Sequence, residues 1–128
     1  MEAKPTESEM EILSLLWQMK KATVRNIHEK LAETKDTGYT TTLKTMQNML
    51  GKGMVSRDEA QRTHIYYPSL DQTHTQRSLV STFMTSTFGG SAKNLVMQAL
   101  GQSNPSKEEL DEIRRFMDQL ATKDHGDN

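Results

Sequence analysis

The 128-residue chain is 34% apolar without glycine, has a mean hydropathy of -0.75 and carries a formal net charge of -1. Its seven glycines lift the apolar share to roughly 39%, below the ~45–50% of an ordinary globular domain, so one large core is excluded and one modest domain or two very small ones fit the length. The absence of cysteine excludes disulfides, thiolate metal sites and cysteine nucleophiles, and no run approaches the ~18 apolar residues of a membrane span.

Met1 to Pro5 contain no apolar stretch of the kind a secretory leader needs, so the expectation is a soluble, cytoplasmic protein with no membrane partner. Residues 20–62 hold nine basic and five acidic side chains, whereas residues 71–128 hold six basic and eight acidic. A basic front and an acidic back suggest a polyanion-binding module joined to something else.

Thr6 and Glu9 form a capping box, and Met10, Leu13, Leu16 and Trp17 follow at helical spacing, which predicts a first helix over 7–19 with Lys20 and Lys21 suited to its negative end. Thr23 starts a second helix, over 24–34, with Val24, Ile27 and Leu31 on one face. A loop follows to Gly38. A third helix begins near Thr40, with Leu43, Met46, Met49 and Leu50 on its apolar face, and Gly53 is placed to cap it in a left-handed conformation. The period then changes: 54–57 and 63–67 read as the strands of a hairpin closed by Pro68. Three helices and a hairpin in this order are a winged helix-turn-helix, the third helix being the one that enters a major groove.

The rest reads as helical. Asp71 or Thr73 caps a helix carrying Leu79, Val80, Phe83 and Phe88, and Gly89-Gly90 breaks it. Ser91 caps a short helix with Leu95, Val96, Ala99 and Leu100, which a loop from Gly101 to Pro105 ends. Ser106 and Glu109 form another capping box before a last helix bearing Leu110, Ile113, Met117 and Leu120, and residues 123–128 read as a frayed tail. Three short amphipathic helices cannot build a core alone. A second copy of the chain is the simplest cover, so Leu79, Phe83, Phe88, Leu95, Val96, Leu110, Ile113, Met117 and Leu120 are the candidate dimerisation residues. The fold expected is mostly α, with residues 1–70 as a winged-helix DNA-binding domain and 71–128 as a helical dimerisation domain.

The run from Tyr39 to Val55, the earlier pattern from Glu9 to Trp17, Gly89-Gly90 followed by Asn94-Leu95-Val96-Met97, and the final Leu-x-x-Ile helix resemble the penicillinase repressor (BlaI/MecI/CopY) family over about residues 5–120. The resemblance implies a homodimeric repressor that sits on a palindromic operator in double-stranded DNA and blocks promoter access. It also implies two release routes. Some members are cut by a signalling protease at an Asn-Phe bond after the Gly-Gly region, where this chain reads Met97-Gln98-Ala99-Leu100. The copper-responsive branch uses a Cys-x-Cys pair, which a chain without cysteine cannot supply.

The candidate DNA-binding residues are Thr40, Thr41, Lys44, Thr45, Gln47, Asn48 and Lys52 on or beside helix three, and Arg57, Arg62 and His64 on the hairpin. A polar helix face by itself is a solvated surface; its place between a helix-turn and a basic hairpin makes it a candidate. Asn48 or Gln47 suits adenine, and threonine hydroxyls suit phosphates. The hairpin charges also have a plain reading, as guards against strand pairing. Met46, Met49, Met97 and Met117 read as core filling. His28, His64, His74 and His125 lack metal-ligand spacing, no phosphate-binding loop or nucleophile motif occurs, and the acidic run from Glu108 to Glu112 suits a helix start. The expectation is a non-enzyme without a cofactor. Two rival readings are a winged-helix protein-interaction module without specific DNA binding, and a small-molecule-responsive regulator with a pocket between its halves.

Overall fold

The computed structural model describes residues 4–126, with side chains as far as residue 123. Six helices and one hairpin follow in chain order: α1 (Glu7–Met19), α2 (Val24–Ala32), α3 (Tyr39–Gly51), β1 (Val55–Asp58), β2 (Ile65–Pro68), α4 (Gln72–Phe88), α5 (Ala92–Ser103) and α6 (Lys107–Gly126). The chain packs as two units that divide between Val80 and Ser81, within α4.

Local chemistry accounts for the helix starts. Thr6 Oγ1 accepts the Glu9 amide at 3.2 Å and Glu9 Oε1 accepts the Thr6 amide at 2.9 Å. Thr23 and Asn26 make the same reciprocal pair at the start of α2. Asp71, rather than Thr73, caps α4 by accepting the His74 amide at 2.8 Å. Ser91 caps α5, and Ser106 with Glu109 boxes the start of α6.

The first unit is a winged helix. α1 contributes Ile12, Leu13 and Leu16, α2 Val24, Ile27 and Leu31, and α3 Met46 and Met49 to one buried cluster, closed by Ala22, Met54, Val55 and Tyr66. β1 and β2 pair antiparallel with Ser56 opposite Tyr67 and Arg57 opposite Tyr66. Ala22 exchanges two backbone hydrogen bonds with Tyr66, at 2.9 and 2.8 Å, which ties the hairpin to the α1–α2 link. Gly53, at φ 79°, makes the turn from α3 into β1.

In the second unit α4 ends at Gly89 and Gly90, with φ 59° and 85°, and the Gly90 amide closes back on the Met84 carbonyl at 2.9 Å. Helix α5 does not stop at Gly101 but continues to Ser103, and Asn104, at φ 55° and ψ 56°, ends it. An isolated glycine weakens a helix by about 1 kcal/mol without breaking it. Helix α6 runs to Gly126, further than a tail frayed from Lys123; residues 127 and 128, and the side chain of His125, lie outside the described residues.

Among the described residues none from Ser81 onward is buried. The expectation that Met97 and Met117 fill a core is therefore corrected: they are 62% and 50% exposed, whereas Met46 and Met49 are wholly buried. Only the first unit has enough converging faces to make an interior from one chain. No helix among the described residues is long and apolar enough to cross a membrane.

Candidate nucleic-acid interface

Helix α3 buries Thr42, Met46 and Met49 and turns the opposite stripe outward. Thr40, Thr41, Lys44, Gln47 and Asn48 are exposed, and Thr45 is half-buried. The Thr45 hydroxyl donates to the Thr41 carbonyl at 2.8 Å, so within this face Lys44, Gln47 and Asn48 have the longest reach beyond the helix. His28 on α2 holds the buried side of α3: its Nδ1 lies 3.4 Å from the Thr42 hydroxyl, and its ring meets Tyr39 edge-on at 5.7 Å.

Between α3 and the hairpin is a concavity of about 390 Å³. Arg25, Arg57, Arg62 and His64 line it together with Gln47 and Tyr39, and no carboxylate does. Arg25 lies over the Tyr39 ring, 5.9 Å from its centroid, an arrangement that pre-orients a guanidinium. Arg25 and Arg62 thus place positive charge beside the exposed face of α3, while the charge of Arg57 is taken up by Glu59, which stands outside the lining.

The candidates named from sequence divide by what they already hold. Arg57 Nε donates to Glu59 Oε2 at 2.8 Å and Nη1 to the Tyr66 hydroxyl at 3.1 Å; these partners hold the guanidinium in its charged form, and Arg57 in turn lowers the Glu59 pKa. Arg57 is thus a brace of the hairpin as well as a wall of the notch. Lys52 lies beyond the end of α3, where its Nζ meets Glu9 Oε2 at 2.7 Å. Glu9 is buried, which disfavours its charge, but the Lys52 hydrogen bond and the Thr6 contacts outweigh that and hold its pKa below the usual carboxylate value. Arg62 and His64 stand on the notch wall, Arg62 exposed and His64 half-buried.

Sequence reasoning missed Arg25 and Tyr39. They lie 14 positions apart on different helices, and only the packing of α2 against α3 brings them together. The signal that was present is Arg25 immediately after the Thr23–Val24 helix start, a position that keeps a long side chain at the exposed end of α2. Among the described residues no three His, Asp or Glu side chains gather into a group that could hold a metal ion.

The dimerisation candidates also separate. Leu79 is half-buried in the first unit. The Phe83 and Phe88 rings meet at a tilt of 55°, their centroids 5.5 Å apart, with Phe83 half exposed. Leu95, Leu110 and Ile113 are half-buried, and Val96, Met117 and Leu120 are exposed. Phe116, not singled out from sequence, is 59% exposed on α6.

Comparison with known proteins agrees with this architecture. The penicillinase repressor family model matches residues 5–119. The methicillin resistance regulatory protein MecI of Staphylococcus aureus is 21% identical over 112 residues, covering 88% of this chain and 91% of that protein. The penicillinase repressor of Bacillus licheniformis is 18% identical over 114 residues, covering 89% of each. Among solved structures, the DNA-binding domain of the repressor BlaI superposes with a TM-score of 0.50 at 19% identity, over 57% of this chain and 92% of that one. Lactococcus lactis ZitR, as a C30AH42A mutant, gives a TM-score of 0.51 at 19% identity over 94% of this chain and 76% of that one. The chain belongs to the penicillinase repressor family, a family of winged-helix DNA-binding transcriptional repressors.

Proposed function

We propose that the protein is a sequence-specific repressor that binds a palindromic operator as a homodimer and blocks access to the promoter. The observation that carries this is the exposed polar face of α3 set beside a notch to which Arg25 and Arg62 bring positive charge, with Arg57 held on its wall by Glu59. In this reading α3 enters the major groove. Asn48 and Gln47 read base edges, Lys44 and the Thr40 and Thr41 hydroxyls hold phosphates, and Arg25, Arg62 and His64 grip the backbone beside the hairpin. Residues 1–70 bind DNA. The apolar faces of the helices from α4 onward pair with those of a second copy, which sets two α3 helices about one DNA turn, or a multiple of it, apart. Proteolysis at Gln98-Ala99 forms no part of this reading, because the Asn-Phe pair that the resemblance implies for a cut is absent from that segment.

The test is selection of genomic fragments by the purified full chain across a salt series, followed by sequencing of the recovered DNA. A recovered palindrome whose affinity falls steeply with salt supports the reading. Lys44→Ala and Asn48→Ala are then expected to weaken that operator, Asn48→Ala by about 1–3 kcal/mol and at particular base positions. Salt-insensitive binding to another protein, with no DNA recovered, overturns it in favour of a protein-interaction module.

A further inference from the structure

We propose that Glu59 is a specificity-determining residue: it masks the charge of Arg57 until a DNA backbone is seated against the hairpin, and so weakens sequence-blind binding more than operator binding. This role rests on the DNA-binding reading and names a residue that sharpens it.

The hairpin sorts its charges by face. Arg57 stands opposite Tyr66 in the β1–β2 register, and both line the notch beside α3 with Arg62 and His64. Asp58, one position on, belongs to the other face and lines a separate recess with Lys21 and Tyr67. Glu59 lines neither, yet its carboxylate reaches back to Arg57. Guanidinium Nε and Nη2 converge on Glu59 Oε2, while Nη1 donates to the hydroxyl of buried Tyr66 at 3.1 Å. The guanidinium also lies over the Tyr66 ring, 5.7 Å from its centroid. Tyr66 therefore fixes where Arg57 is. Glu59 fixes what Arg57 presents to the outside, a neutral pair instead of a cation.

The pair is suited to exchange. Glu59 is the outer partner, its side chain 55% exposed against 21% for Arg57, and an exposed ion pair contributes little to stability. Carboxylate and phosphate oxygens accept the same guanidinium donors. A backbone phosphate brought against the notch can thus replace Oε2 while the Tyr66 bond stays. The exchange needs that phosphate in one position. A duplex held loosely, by charge at a distance, meets a pair with no net charge and releases no counterion to it. A duplex seated with α3 in its groove presents the phosphate and draws Arg57 from Glu59. Specificity is the difference between these two affinities, and Glu59 widens it.

The experiment is fluorescence anisotropy of the full chain on a short labelled duplex of random sequence, and on the operator recovered by genomic selection, across a salt series. Glu59→Gln keeps an acceptor for Arg57 and removes the charge. It is expected to tighten the random duplex about tenfold at about 0.1 M salt, and to steepen the slope of log affinity against log salt by about 1 for each protomer in contact. Operator affinity should rise less, so the ratio of the two falls. Asp58→Asn removes the same charge from the other face and should leave the slope where it is. In an Arg57→Ala background Glu59→Gln should have no effect. Glu59→Ala repeats the measurement should the amide disturb the hairpin. A Glu59→Gln slope equal to the parent's, a gain matched by Asp58→Asn, a gain that survives Arg57→Ala, or equal tightening on both duplexes overturns the role. Weaker binding to both duplexes makes Glu59 a brace of the hairpin and overturns it too. A parent chain that binds neither duplex at any salt fails the DNA-binding reading itself, and this role with it; the parent's own titration tells that failure from the others.

Discussion

Glu9 is a residue whose two tasks pull on one carboxylate. It caps α1 through the Thr6 amide and anchors Lys52 from beyond the end of α3. Because its folded pKa lies below the unfolded value, its contribution to stability is fully present above the ordinary carboxylate pKa of ~4.3. That contribution is lost as pH falls through the folded pKa. Glu9→Gln keeps a capping acceptor but removes the charge; it is expected to cost about 1–2 kcal/mol at pH 7 and to flatten the acid limb of a pH–stability profile measured by urea unfolding. Capping by Glu9 was legible in the sequence as a T-x-x-E box, but its pairing with Lys52 was not, because 43 positions separate the two. The same limit hid Arg25. If Arg25 and Arg62 each hold a phosphate, Arg25→Ala and Arg62→Ala should each lower the slope of log affinity against log salt by about 1, with little change in sequence preference. A changed preference with an unchanged slope would assign them to base reading instead.

Among the elements, starts were easier to read than ends. Caps are local chemistry: Thr6, Thr23, Ser91 and Ser106 each act within three residues of themselves. Ends depend on what lies beyond. Helix α1 ends at Lys20 with φ 77°, a conformation that favours glycine and that no sequence rule expects of lysine. Helix α5 passes through Gly101 because nothing there requires a turn; a Cβ at that position meets no atom within 4 Å and its φ is not positive. Gly101→Ala is therefore expected to stabilise α5 by about 0.5–1 kcal/mol, seen as slower amide exchange along that helix. The hairpin was legible from its β-branched and aromatic run, whereas its anchoring by Ala22 to the α1–α2 link was not, since a single bridge residue leaves no period.

For the molecule as a whole, the two units differ in what they bury. The first encloses a cluster in which Leu13, Leu16, Ile27, Met46 and Met49 have no exposure, whereas no described residue from Ser81 onward is buried. Hydrophobic period alone could not tell these apart, because α6 carries as regular an apolar stripe as α1. The stripe in α1 meets α2 and α3; the α6 side chains Phe116, Met117 and Leu120 remain about half exposed. If a second copy of the chain covers this stripe, as proposed, Leu120→Glu and Phe116→Glu should leave the melting of the first unit unchanged while halving the mass seen by sedimentation. Operator affinity should fall by about 10²–10⁴-fold, as two half-sites cease to act through one linked body. A monomeric mass for the parent chain would refute the dimer outright.

Trp17 is the one tryptophan of the chain, and its indole Nε1 donates to the Leu70 carbonyl at 3.1 Å, at the point where the hairpin hands over to α4. That bond makes the molecule its own optical gauge. Indole emission shifts to the red as water replaces a protein acceptor, so ordinary fluorescence, without any added label, reads the state of one joint rather than an average over the chain. Stopped-flow traces of that signal can then time the movement of this joint against the arrival of a ligand or of DNA, and so order events that an equilibrium titration reports together.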